Sequence, residues 1–75
     1  MNIITARLDR TDDGVWVAYV ENGDEGASAN NIRCAKAITE ACKKLCGDDL
    51  SEHYLQIYVQ EDLFQAFEAE TRREQ

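Results

Sequence analysis

The sequence predicts a two-layer α+β sandwich: a small three- or four-stranded sheet with two helices on one face, in the order β-β-(β)-α-β-α. Three observations carry this reading. Residues 3–9 and 54–59 alternate between two kinds of side chain, the period-two pattern of strands. Residues 31–46 change to the 3.6-residue period of an amphipathic helix. The chain is 75 residues long and 44% hydrophobic, enough apolar content for one small core and too little length for two.

The first strand is IITARLD, with Ile4, Ala6 and Leu8 on one face and Ile3, Thr5, Arg7 and Asp9 on the other. The following RTDDG ends in Asp13-Gly14, which suits a turn requiring positive φ, and VWVAYVE resumes a β-branched and aromatic run. The inward face of this second strand is open, because Val15, Val17 and Tyr19 compete with Trp16, Ala18 and Val20. Asn22-Gly23 marks a second hairpin, since both residues tolerate the left-handed conformation of a two-residue primed turn. A third strand over 24–28, DEGAS, is poor in strand formers and belongs at an edge, if it pairs at all.

From Asn31 to Cys46, Ala35, Ile38, Cys42 and Leu45 form an apolar stripe with Cys34 and Ala41 beside it, while Arg33, Lys36, Glu40, Lys43 and Lys44 lie opposite. Asn30 or Ser28 serves as N-cap, Lys43 and Lys44 sit where the helix dipole favours cations, and Gly47 suits the position just past the end. Glu40 precedes Lys44 by four residues, the favourable order for an intrahelical pair. After the loop DDLSE, HYLQIYVQ alternates Leu55, Ile57 and Val59 with Tyr54, Gln56 and Tyr58, and reads as a central strand with one aromatic face. A second helix begins at Glu61 or Asp62 and packs Leu63, Phe64, Ala66 and Phe67, with ETRREQ fraying into solvent. The sheet face away from the helices then exposes Ile3, Thr5, Arg7, Tyr54, Gln56 and Tyr58, a candidate contact surface.

The formal charge is −7 and the pI is near 4.5, so the mean field repels phosphate and anionic lipid and attracts basic surfaces. Direct nucleic-acid binding is disfavoured, and a basic protein or nucleoprotein complex is the expected partner. Three cysteines cannot form a complete internal disulfide set, and the N-terminus lacks the layout of a signal peptide. A reducing cytoplasm is the expected compartment. No apolar run reaches the length of a membrane span, so a soluble protein is expected.

Chemistry concentrates in ACKKLCGDDLSEH, residues 41–53. A metal site there would use Cys42, Cys46 and His53, with Cys34 or a carboxylate as fourth ligand. The spacing matches no zinc knuckle, and Cys34 and Cys42 fall where small core residues belong, so buried structural thiols are the favoured reading. The helix C-terminus also opposes thiolate formation at Cys42 and Cys46. Asp9, Asp12, Asp13 and Gly14 faintly resemble a calcium loop, but Trp16 and Val17 fall where further ligands are needed, and a turn is preferred. Adjacent acids such as Asp48 with Asp49 are ordinary in loops, and no phosphate loop or nucleophile constellation is present. No cofactor is expected, and no motif identifies a reaction.

The arrangement of charge is more informative. Residues 1–30 sum to −4, 31–46 to +3, 47–62 to −5 and 63–75 to −1, so the first helix is a positive stripe on a negative body. The acids gather in turns. In size, acidity and layout, the whole chain resembles the small phage-encoded inhibitors, anti-CRISPR proteins in particular. That group shares no signature motif, so the resemblance transfers no residue roles. It implies a stoichiometric, non-enzymatic binder that blocks a basic groove or subunit in a bacterial defence complex. The positive first helix departs from a purely acidic mimic. The partner-binding residues expected are Asp12, Asp13, Glu21, Asp24, Glu25, Asp48, Asp49 and Glu52 in the acidic loops, with Tyr54 and Tyr58 on the sheet. The alternatives are a metal- or thiol-dependent protein using Cys42, Cys46 and His53, and a homodimeric module joined through a sheet edge or the aromatic face.

Overall fold

The computed structural model describes residues 2–47 and 53–73. The elements are β1 (Asn2–Arg10), β2 (Trp16–Asn22), β3 (Glu25–Asn31), α1 (Cys34–Cys46), β4 (His53–Val59) and α2 (Phe64–Arg73), the last entered through a 3₁₀ turn at Glu61–Leu63. They form the expected α+β fold on a four-stranded sheet of order β3-β2-β1-β4. The two hairpins are antiparallel, and β4 lies parallel to β1, reached by the α1 crossover from the opposite edge. Asp48, Asp49 and Glu52 lie outside the described residues.

Turn chemistry sets the hairpins. In the first, Thr11 and Val15 close the loop: Thr11 N–H donates to the Val15 carbonyl, Gly14 N–H to the Thr11 carbonyl, and Val15 N–H to Thr11 Oγ1. Gly14 has φ of 86°, the left-handed residue of a three-residue loop. In the second, Asn22 pairs with Glu25 and Gly23 and Asp24 span the turn. Only Gly23, at φ 66°, is left-handed, so the turn has the II′ pattern with glycine first rather than the two left-handed residues expected at Asn22-Gly23. The third strand is longer than expected, because β3 continues through Ala29 to Asn31, opposite Trp16.

Register resolves β2. Ala6 faces Val20, Leu8 faces Ala18 and Arg10 faces Trp16, so Trp16, Ala18 and Val20 turn towards the helices. With Ile4, Ala29, Cys34, Ala37, Ile38, Ala41 and Cys42 they make the core. Alanines on both layers let α1 settle close upon β2 and β3, where it lies. Ala37 is wholly buried and Ala35 is exposed, a rotation of the expected stripe that follows from α1 meeting the sheet through its smallest side chains.

The start of α1 is also later than expected, at Cys34. Neither Asn30 nor Ser28 caps it. Asn31 Oδ1 accepts from Arg33 N–H in a local turn, and the first helical N–H, that of Cys34, donates to Glu70 Oε2 at 3.2 Å. A carboxylate from α2 therefore sits at the positive end of α1. Gly47 ends the helix as expected, with φ 67° and its N–H donating to the Lys43 carbonyl. The Glu40–Lys44 pair is replaced by two contacts to β3: Glu40 accepts from Asn31 Nδ2, and Lys44 Nζ donates to the Ser28 carbonyl at 3.0 Å.

Both helices lie on one face, but their coverage is unequal. α2 rests mainly on α1 and contributes half-buried Ala66 and Phe67 to the core. Phe64, expected to pack, is 49% exposed, because the 3₁₀ turn carries it outward. β4 is an edge strand rather than a central one, since the crossover delivers it outside β1. Its helix-side residues Leu55 and Ile57 consequently remain 44% and 38% exposed.

Candidate protein-binding surface

The sheet face opposite the helices is built by alternation. β1 contributes Ile3, Thr5, Arg7 and Asp9, β2 contributes Val17, Tyr19 and Glu21, and β4 contributes Tyr54, Gln56 and Tyr58. Register puts them in rows across the strands: Tyr54 beside Ile3, Gln56 beside Thr5 and Glu21, and Tyr58 beside Arg7 and Tyr19. Tyr54, Tyr58, Tyr19 and Ile3 are all exposed, so the two tyrosines expected here belong to a larger aromatic face. Arg7 lies between Tyr58 and Tyr19 and is its one cation among the described residues. An open depression of about 330 Å³ is lined by Arg7, Asp9, Tyr19, Glu21 and Gln60 among others.

The acidic loops divide between the two ends of this face. Asp12 and Asp13 are exposed in the β1–β2 turn, and Glu61 and Asp62 follow β4 at the same end, because β4 runs parallel to β1. Glu21, Asp24 and Glu25 gather at the β2–β3 turn, at the other end. Seven residues of β2 separate the two turns, which at about 3.3 Å per residue puts them roughly 20 Å apart. The expected acids among the described residues therefore do not converge on one point. They make two acidic poles with tyrosines between them, and Asp9 and Glu21 extend the poles onto the face itself. Tyr19 joins the face only through register: its alternation with Trp16 and Val20 is visible in the sequence, but pairing with β1 sets the phase. Ile3 and Arg7, on the expected contact face, gain their places beside Tyr54 and Tyr58 in the same way.

The positive side chains of α1 point elsewhere. Lys36 and Lys43 are exposed on the side of α1 away from its buried stripe, Arg33 is exposed just before the helix, and exposed Lys44 leans over the β3 edge to the Ser28 carbonyl. The molecule thus presents a basic helix on one side and a tyrosine face with acidic ends on the other.

The cysteines belong to the helical layer. Cys34 and Cys42 are buried, Cys46 is half-buried and none is bridged. Burial, reinforced by the neighbouring Cys46, pushes the Cys42 thiol above its ordinary range, which favours the protonated form. Among the described residues, no three His, Cys, Asp or Glu side chains gather as metal ligands, and the His53 side chain lies outside that description. No helix among them is long and apolar enough to cross a membrane. No protein-family model matches the chain, and neither a curated protein nor a solved structure shows detectable similarity to it.

Proposed function

We propose that this chain is a non-enzymatic inhibitor or adaptor that binds a basic surface of a nucleic-acid-binding protein, acting in the cytoplasm and making no contact with nucleic acid itself. The observation that carries the reading is the tyrosine face set between two acidic poles. Tyrosine supplies large contact area at low entropic cost and favours protein interfaces, while carboxylates at the rim steer a basic partner and fix its orientation. Arg7, in the middle of the face, adds a donor for a partner carboxylate or carbonyl. A blocker of a bacterial defence complex, of the kind the phage inhibitors supply, fits the same surface.

The experiment is capture from a nuclease-treated bacterial lysate, elution by a salt gradient, and repetition with each pole reversed. A basic nucleic-acid-binding protein that elutes at moderate salt from the native chain is the expected result. Earlier elution is expected from Asp12→Lys/Asp13→Lys and from Glu21→Lys/Asp24→Lys/Glu25→Lys. Equal retention on native and reversed proteins would remove the acidic poles from the interface.

A further inference from the structure

One element combines features that natural sheets usually avoid. β4 is an outer strand, paired among the described residues to β1 along one side only. Residues 53–60, HYLQIYVQ, contain no Asp, Glu, Lys, Arg, Pro or Gly, in a chain that is 31% charged. Exposed edges are normally blunted by such residues, by a bulge or by a covering element, because their outward N–H and C=O groups recruit another strand. The opposite edge is treated that way. β3 is built from Gly26, Ser28, Asn30 and alanines, weak strand formers, and Lys44 of α1 reaches over it to the Ser28 carbonyl. β4 has side chains suited to pairing on both of its faces. Tyr54 and Tyr58 are exposed on one, and Leu55 and Ile57 on the other.

We propose that β4 pairs with β4 of a second copy of this chain, antiparallel and centred on Gln56, joining two four-stranded sheets into one. The sequence YLQIY is chemically symmetric about Gln56. An antiparallel pair with that centre sets Gln56 opposite its own copy, Leu55 opposite Ile57 and Tyr54 opposite Tyr58. Within Tyr54–Tyr58 each cross-strand neighbour is then of the same kind, amide with amide, aliphatic with aliphatic and aromatic with aromatic, and His53 meets Val59 at each end of the pair. Such matched pairs stabilise antiparallel sheets. The contact is isologous and closes after two copies.

Charge selects the second copy over an arbitrary strand. Two chains of formal charge −7 repel, and an uncharged strip lets them meet without bringing carboxylates into the seam. The pairing stops where the sequence turns acidic, at Glu52 on one side and Glu61 on the other. Added salt screens the acids at these ends and so tightens the dimer. A head-to-tail contact between the basic face of α1 and an acidic pole would loosen with salt instead. The paired sheets keep their tyrosine faces on the same side, which doubles the surface described above, but the dimer and the basic-partner reading can fail independently.

The test is sedimentation equilibrium of the whole chain over a wide concentration range, at low and at roughly half-molar salt, where charges are well screened. Native protein should show a monomer–dimer equilibrium with no larger species, shifted towards dimer by salt. Gln56→Lys places two ammonium groups against each other at the centre, and should raise the dimer dissociation constant about tenfold or more, with an unchanged circular dichroism spectrum. Ser28→Lys, on the β3 edge, should leave it alone. A strict monomer, a dimer that loosens with salt, an open-ended series of oligomers, or a dimer indifferent to Gln56→Lys would each overturn the proposal. The native concentration series decides the matter even if a variant misfolds.

Discussion

Trp16 is completely buried between the layers, with the Arg10 guanidinium 5.2 Å from its ring centre and its indole N–H without an acceptor among the described residues. A buried orphan donor costs about 1–3 kcal/mol, while truncating a core aromatic to alanine costs about 3–5 kcal/mol. Small domains carry stabilities of only a few kcal/mol, so Trp16→Ala should unfold the chain in dilute buffer. Trp16→Phe, which drops the orphan N–H and keeps a ring, should retain a cooperative urea transition, followed by circular dichroism. Cys42 makes a pH prediction. Its thiol is neutral in both states at neutral pH. Above the ordinary thiol range of ~8.5, the unfolded chain ionises more readily than the folded one, because the folded value is raised. Stability should therefore decline as pH rises beyond that range, and Cys42→Ala should flatten the decline in thermal melts. Cys46, half-buried, should react first with a thiol reagent, ahead of buried Cys34 and Cys42. The burial of Cys34 and Cys42 is legible from the helical period, whereas Ala35 and Ala37 cannot be told apart, because alanine gives the period little contrast.

At the level of elements, the two helices are tied by one carboxylate. Glu70 of α2 accepts from the first N–H of α1, a cap supplied from 36 residues away. Glu70→Ala should cost about 1 kcal/mol, the usual loss for an N-cap, read as a lower urea midpoint. Gly23→Ala isolates backbone strain, since a Cβ there meets nothing while φ is 66°. It too should cost about 1 kcal/mol. Neighbouring residues announce the turns at Asp13-Gly14 and Asn22-Gly23, and the strands flanking them, because turn chemistry is local. The cap from Glu70, the reach of Lys44 to β3 and the edge position of β4 are distant relations, and nothing within a few residues of them records the partner. The alternation that makes β4 resemble a central strand comes from exposure on both faces, an arrangement that binary pattern alone does not distinguish from burial on both.

The whole molecule has two electrostatic sides. The helical side presents Lys36 and Lys43, with Arg33 at the entry to α1 and Lys44 at the β3 edge, and the opposite side presents tyrosines bounded by acids. A basic partner approaching this field is turned away from the helix and towards the sheet, with an association rate that falls as salt rises. The individual acids are readable in the sequence, but their division into two poles roughly 20 Å apart follows from strand direction and register. Binding through the tyrosine face is tested most directly by the dissociation constant for the basic protein recovered by capture, compared between the native chain and Tyr19→Ser/Glu21→Lys across a salt series. Those two positions lie on β2, on the tyrosine face and away from the β4 edge. The double variant should bind about tenfold or more weakly, with a shallower salt dependence and an unchanged melting temperature. An affinity equal to that of the native chain at every salt concentration would show that the partner binds elsewhere.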